Sequence, residues 1–364
     1  MDSVVIKNVT YKQLLENNWL VDDDCYGLGA FVDDNVRKTF LDCPNNDDSE
    51  KTAVLLAVDN GAIVGRFLLY GTTIKMGETI QRAQSFGSIE VDLSQRGKGV
   101  GSMLNKWTLE NKEYSVFLFS LLSASCLSIV RKPNNDCVIF DFPRLVKIIN
   151  TEPIFVRKTS SSVLIKIGKC LGNLAVRILD IPYKFRLLRL KKVYKVKPLN
   201  TVPEWAGDMC LNDGHKYSEY HDSAWLQWCL THNLSGRKED IQRFFGIYKD
   251  DRPVGFFFTK ERMNKDENYD KEFLYGTVCE WATTDKDLSE ADINLLATET
   301  FSRKCFHVLT VTDDPNTEKT LLRMRFMHHG RMQMGFRDKL HQFPEMRDQS
   351  LWRIRYGCCN SILY

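Results

Sequence analysis

Residues 91–104, Val-Asp-Leu-Ser-Gln-Arg-Gly-Lys-Gly-Val-Gly-Ser-Met-Leu, constrain this chain more than any other stretch. They read as the end of a strand, a glycine-rich loop and the first turn of a helix. Gly97, Gly99 and Gly101 let the loop backbone reach positive φ and come close to a ligand. The helix behind them offers unpaired N–H groups and the positive end of its dipole. Arg96 and Lys98 add full charges. Such a loop suits a phosphate or pyrophosphate. It lacks the GxxxxGK[ST] of a nucleotide-triphosphate loop, and its GxGxG spacing is not the GxGxxG of a dinucleotide fold.

Arg96, Gly99 and Gly101 do fit [RQ]-x-x-G-x-[GA], the acyl-CoA loop of the GNAT N-acetyltransferase superfamily, and the first half of the chain resembles that family. Residues 52–58 and 62–70 are apolar runs around Asn60-Gly61, a strong hairpin signal. Residues 84–93 alternate as a strand with Ile89, Val91 and Leu93 on one face and Ser88, Glu90 and Asp92 on the other. Val100, Met103, Leu104 and Trp107 form a helical stripe, and residues 115–122 form the next strand. Residues 114–130 are free of charge but short for a membrane span, and read as a buried strand leading into a helix.

The second half repeats this order more faintly. Residues 244–249 and 253–259 flank Asp250-Asp251-Arg252 as another hairpin. Strands follow at 273–281, 306–312, around 330–336 and around 351–356, with a helix over 289–304 that opens on a capping-box-like Ser289 start. The expected fold class is α/β, an α+β mixed sheet, as two GNAT-like acyl-CoA N-acyltransferase domains in tandem. The expected boundaries are residues 1–150, a basic interdomain segment 151–192, and 193–364. Where a second glycine loop belongs, the chain reads Thr283-Thr284-Asp285-Lys286-Asp287-Leu288-Ser289-Glu290, whose acids would repel a pyrophosphate. One cofactor site is therefore expected, in the first domain. The layout resembles tandem-GNAT proteins of bacteria, including acetyltransferases associated with surface-polysaccharide synthesis.

The resemblance implies acetyl-CoA as co-substrate and a small-molecule amine, such as an amino sugar, as acceptor. Residues 91, 93 and 96–102 (Val91, Leu93, Arg96, Gly97, Lys98, Gly99, Val100, Gly101, Ser102) would hold the CoA. A backbone N–H near Val91 or Leu93 would polarise the thioester carbonyl. Glu90 is the expected general base, partly desolvated on the central strand; Asp92 lies too near the pyrophosphate. The family's usual thiolate-protonating Tyr is missing from residues 124–128, leaving Ser125, Cys126, water or the second domain. Glu280 and Trp281 would help bind an acceptor. Two other readings stay open: a Fem-like aminoacyl transferase using tRNA, which an intact CoA loop disfavours, and a non-catalytic acyl-CoA-binding module.

A formal net charge of +3 gives no bulk attraction for nucleic acid. Eleven cysteines without paired CxxC spacing suggest reduced thiols and a cytoplasmic protein. No metal is expected, because the His215–His221 and His328–His329 groups lack a third ligand, and no signal peptide is read at the Met-Asp-Ser start. Residues 151–192 hold ten Lys/Arg against two acids. They read first as an interdomain helix with a solvated basic face, and second as a contact for an anionic membrane surface or a basic rim for CoA. The apolar tail after Trp352 is expected to dock as a final strand or fill a groove.

Overall fold

The computed structural model describes the chain except residues 1–3, 17–33, 47–49, 111–112, 121–123, 133–135, 235–236, 238, 267–269 and 364. The first half runs β1 (Val4–Thr10), α1 (Tyr11–Glu16), α2 (Asp34–Leu41), β2 (Thr52–Asp59), β3 (Ala62–Met76), β4 (Thr79–Val91), α3 (Val100–Glu110), β5 (Val116–Ser120), α4 (Ala124–Val130) and β6 (Val138–Ile148). Three helices follow: α5 (Glu152–Val156), α6 (Ser162–Leu179) and α7 (Ile181–Val193). The second half runs β7 (Lys195–Leu199), α8 (Glu204–Leu211), β8 (Tyr217–Glu219), α9 (Ser223–Thr231), β9 (Ile241–Lys249), β10 (Arg252–Asp266), β11 (Lys271–Thr283), α10 (Glu290–Thr298), β12 (His307–Val311), α11 (Pro315–Arg323) and β13 (Met327–Asp338).

The strands form one continuous sheet in the order β1-β2-β3-β4-β5-β13-β6-β12-β11-β10-β9-β7, with β8 added against the end of β3. The order matches from either end. β5 takes β13 of the second half as its neighbour, and β12 takes β6 of the first. The last strand of each half of the sequence thus pairs with a strand of the other half at the middle of the sheet.

Local chemistry fixes the two hairpins that launch each half. Asn60 and Gly61 have φ of 48° and 83°, and Asp250 and Asp251 have 49° and 60°. These left-handed pairs give the twist that joins antiparallel strands tightly. β3 and β4 run further than the sequence suggested, turning at Gly77. The β3 part of the extension holds Thr72, Thr73 and Lys75, yet it is buried, because β8 from the second half pairs with Ile74–Met76. The expected strand at 351–356 is absent. Trp352 makes a single bridge to Tyr217, and the tail ends in a buried 3-10 turn, Cys358–Leu363, packed on β4 and β5.

Helices cover both faces of the sheet. α3 seats Val100 and Leu104 on Leu55, Phe67 and Phe119. On the other side Phe40 of α2 and Trp225 and Trp228 of α9 share one core with Tyr70, so helices from both halves meet there. Tyr183, Leu187 and Leu190 of α7 pack with the wholly buried apolar residues of α10.

Candidate functional site

The pairing of β4 with β5 is parallel and brief, covering Gln84↔Phe117 and Ser85↔Leu118. A register shift between Phe67 and Leu69 of β3 places an extra residue in β4 around Gly87 and Ser88. Such a bulge bends a strand and ends its pairing. Beyond it β4 and β5 diverge, and a cleft of about 580 Å³ opens at their carboxyl ends. In open α/β sheets this is where ligands bind. One wall is Ile89, Glu90 and Val91; the floor is the glycine loop and the first turn of α3; the far wall is Cys126 and Ile129 of α4.

The loop is built as its sequence requires. Asp92 accepts from Ser94 N at 2.8 Å and from the Ser94 hydroxyl, which holds its carboxylate below the usual range. A short 3-10 turn, Leu93–Gln95, leads to Gly97 and Gly99 at φ of 79° and 83°. The first bond within α3 closes from Met103 N to Gly99 O, so helix geometry leaves the N–H groups of the preceding turn directed at the cleft. Arg96 is anchored by its Nε donating to Val91 O at 3.1 Å. Arg96 and Lys98 are exposed, and Lys98 does not line the cleft.

The two expected carbonyl-polarising donors are placed differently by the backbone. The central strand ends at Val91, and Leu93 is 77% exposed in the 3-10 turn. Asp92 N donates to Val64 O on β3 at 2.9 Å. Successive N–H groups alternate along a strand, so Val91 N–H points the other way, into the gap left by β5.

Glu90 lines the cleft and is more open to solvent than its place on the central strand suggested. Its side chain is 46% exposed and pairs with the buried Arg66 at 2.9 Å across the β3–β4 ladder. Cys126 stands at the cleft wall, whereas Ser125 falls in the first turn of α4 with its side chain outside those described. Asn105 was not foreseen. It is buried at the cleft and donates from Nδ2 to Gly101 O at 2.9 Å, bracing the loop. Its spacing of four from Gly101 on a helix was the available signal.

Glu280 and Trp281 are corrected more sharply. Both are fully buried and line no cleft described here. Burial alone would raise the Glu280 carboxyl, but Arg353, bonded at 2.5 Å, and His221 hold it below its usual range. Trp281 lies in the core with the Arg355 guanidinium 4.3 Å from its ring centroid. Glu280 is thus engaged by Arg353 and His221, and the Trp281 ring by Arg355, all inside the core.

β11 and β12 also pair briefly, at Gly276↔Val308 and Thr277↔Leu309, with an extra residue at Cys279 in β11. The chemistry at that opening is opposite. Ser289 caps α10 by accepting from Asp292 N, while Asp292 pairs with Arg186 of α7 at 2.6 Å and Asp285 with Lys249 at 2.9 Å. Carboxylates stand where an anion would bind. Among the described residues, no group of three or more His, Cys, Asp or Glu is placed to hold a metal ion.

No family model and no curated protein matches the sequence. Solved structures do match in fold. A GCN5-related N-acetyltransferase from Anabaena variabilis superposes with a TM-score of 0.52 at 8% identity, over 92% of this chain and 73% of that one. Saccharomyces cerevisiae N-myristoyltransferase with bound myristoyl-CoA gives 0.54 at 10% identity, over 93% and 83%. A probable N-acyltransferase from Enterococcus faecalis gives 0.54 at 10%, over 94% and 74%. The chain therefore shares its overall mixed α/β fold with GCN5-related N-acetyltransferases and N-myristoyltransferase.

Proposed function

We propose that the protein is an acyl-CoA-dependent N-acyltransferase with one cofactor site, formed by the first half. The observation that carries this reading is the cleft between β4 and β5, floored by a positively charged glycine loop at a helix N-terminus. In this reading the pyrophosphate lies on the N–H groups of Gly97 and residues 99–102, with Arg96 and the Lys98 side chain nearby, the Lys98 N–H being taken by Gln95 O at 3.3 Å. The pantetheine arm runs between the strands. Val91 N–H polarises the thioester carbonyl, and the amine of a small molecule, an amino sugar among the candidates, attacks it. The attacking nitrogen loses a proton to Glu90, directly or through water, and the CoA thiolate gains one from Cys126 or solvent. Acetyl-CoA is the expected donor; the fold neighbour that holds myristoyl-CoA makes a longer acyl chain worth testing beside it.

We further propose two units of one fold, 1–150 and 193–364, joined through 151–192 and exchanging β6 and β13. The symmetric strand order supports this. The acids at Asp285, Asp287 and Glu290 support loss of CoA binding in the second unit.

Titration calorimetry with acetyl-CoA, myristoyl-CoA and free CoA tests the reading. One-site binding is expected, tighter for the preferred acyl-CoA than for free CoA. No binding at millimolar ligand overturns it. Glu90→Gln then separates catalysis from binding. An acyl-CoA affinity close to wild type is expected, because the side chain sits on the strand wall rather than in the loop. Turnover should fall about 100-fold, the low end for a general base, since a carboxylate paired with Arg66 and open to water is a weak one. Unchanged turnover removes Glu90 from the mechanism.

A further inference from the structure

α6 is docked back to front. A helix on a soluble protein normally turns its aliphatic stripe to the core. Here the inward face is glycine: a Cβ on Gly168 would lie 2.4 Å from the Phe155 ring, and one on Gly172 would lie 2.5 Å from Thr151 Oγ1. The stripe of Val163, Ile167, Leu171, Leu174 and Ile178 faces outward, and no residue of the helix is buried. Exposure is 62% at Val163, 62% at Leu171 and 57% at Ile178. α7 continues the pattern. Its inner face is seated in the core, while Ile181, Phe185 and Leu188 are 48%, 65% and 59% exposed at helical spacing.

The charge around this stripe is mostly positive, although Glu152 holds Lys169 and the second unit's Asp292 and Glu299 hold Arg186 and Lys191. Residues 153–203 contain twelve Lys/Arg and one acid, Asp180. That acid is already engaged by the buried Lys147 at 2.6 Å. Lys166 and Arg177 are exposed on the flank beside the aliphatic residues. An outward aliphatic face rimmed by cations matches a bilayer with anionic headgroups: the stripe enters the acyl boundary and the lysine and arginine heads reach the phosphates. Among the described residues no helix is long and apolar enough to cross a membrane, so the contact is in-plane.

We infer that α6 and the outer face of α7 form a docking surface for an anionic lipid bilayer. This holds whichever acyl group the cleft takes. The test is co-sedimentation of the full chain with vesicles of mixed phosphatidylglycerol and phosphatidylcholine, beside pure phosphatidylcholine vesicles. Binding to the anionic vesicles is expected, at least about tenfold tighter than to neutral ones and weakened by salt. Leu171→Glu/Leu174→Glu should weaken it by roughly 100-fold with an unchanged melting temperature, because both side chains are exposed. Lys166→Glu/Arg177→Glu should remove the preference for anionic lipid. Failure of the wild-type protein to bind anionic vesicles overturns the inference. So does a lipid-free dimer in sedimentation velocity that Leu171→Glu/Leu174→Glu turns into monomer, which would assign the stripe to a second copy.

Discussion

Gly101→Asp is expected to abolish acyl-CoA binding while leaving the fold as stable as before. The two halves of that statement have separate causes. Gly101 lies in the first turn of α3, and a Cβ there would meet only Val91 Cγ2 at 3.9 Å, so the side chain fits. Its backbone is not among the positive-φ glycines, unlike Gly97 and Gly99, so no strain is added. An acid in the first turn of a helix is mildly favourable through the helix dipole, by about 0.3–1 kcal/mol. The same carboxylate would occupy the place proposed for the pyrophosphate and repel it. An affinity loss of at least roughly 100-fold, or about 3 kcal/mol, is expected in calorimetry. Gly99→Ala is the complementary variant. It adds no charge but forces an L-residue to a φ of 83°, costing about 1–2 kcal/mol of stability. Retained acyl-CoA binding in Gly101→Asp would remove this loop as the cofactor site.

Features set by a few adjacent residues were legible in the sequence. Asn60-Gly61 and Asp250-Asp251 dictate their hairpins through backbone preference alone, and the Arg96–Gly101 loop carries its own geometry. What sequence could not supply was the partner. Glu90 reads as a partly desolvated carboxylate from its place on the central strand, but its environment is set by Arg66 on the neighbouring strand. The β3 part of the extension looks too polar to be buried until β8, some 140 residues later, is laid against it. The pairing of β6 with β13 sets Phe140 opposite Met334, and no local pattern specifies a contact that long. α6 shows the opposite failure. Its periodicity was plain, yet period alone does not say which face docks. The decision rests on how closely Gly168 and Gly172 let the backbone approach Phe155 and Thr151.

Arg353→Met is expected to destabilise the protein more than any surface change, by about 3–5 kcal/mol, lowering its thermal midpoint by roughly 5–10 °C. Arg353 is 2% exposed and bonds Glu280 at 2.5 Å, Asp213 at 2.8 Å and the carbonyl of Trp281 at 2.8 Å. Removing it leaves the buried Glu280 with His221 as its one charged partner, whereas Asp213 keeps Lys75 at 3.1 Å. A second change, Glu280→Gln, should recover part of the loss, because a neutral amide tolerates that burial better. The network ties the halves together: Thr72 of β3 donates to Glu219 at 2.7 Å, and Glu219 accepts from Cys359 N in the tail. Between Glu219 and Glu280 lies His221, stacked on Trp225 with ring centroids 3.7 Å apart. Burial alone would lower its pKa, but the two carboxylates outweigh it and raise the imidazole from 6.5 to about 9. A raised folded pKa stabilises the fold fully below pH 6.5 and ceases to do so as pH climbs through 9. Stability should therefore fall by as much as about 3 kcal/mol across that window. Lys260, which burial holds down at about 8, works in the other direction above that pH. The decisive quantity is thus the difference in urea-unfolding free energy between wild type and His221→Gln at successive pH values. That difference should shrink from pH 6.5 to 9. A constant difference would mean that His221 is neutral in the folded protein, with Glu280 balanced by Arg353 and Glu219 held by hydrogen bonds from Thr72 and Cys359 N.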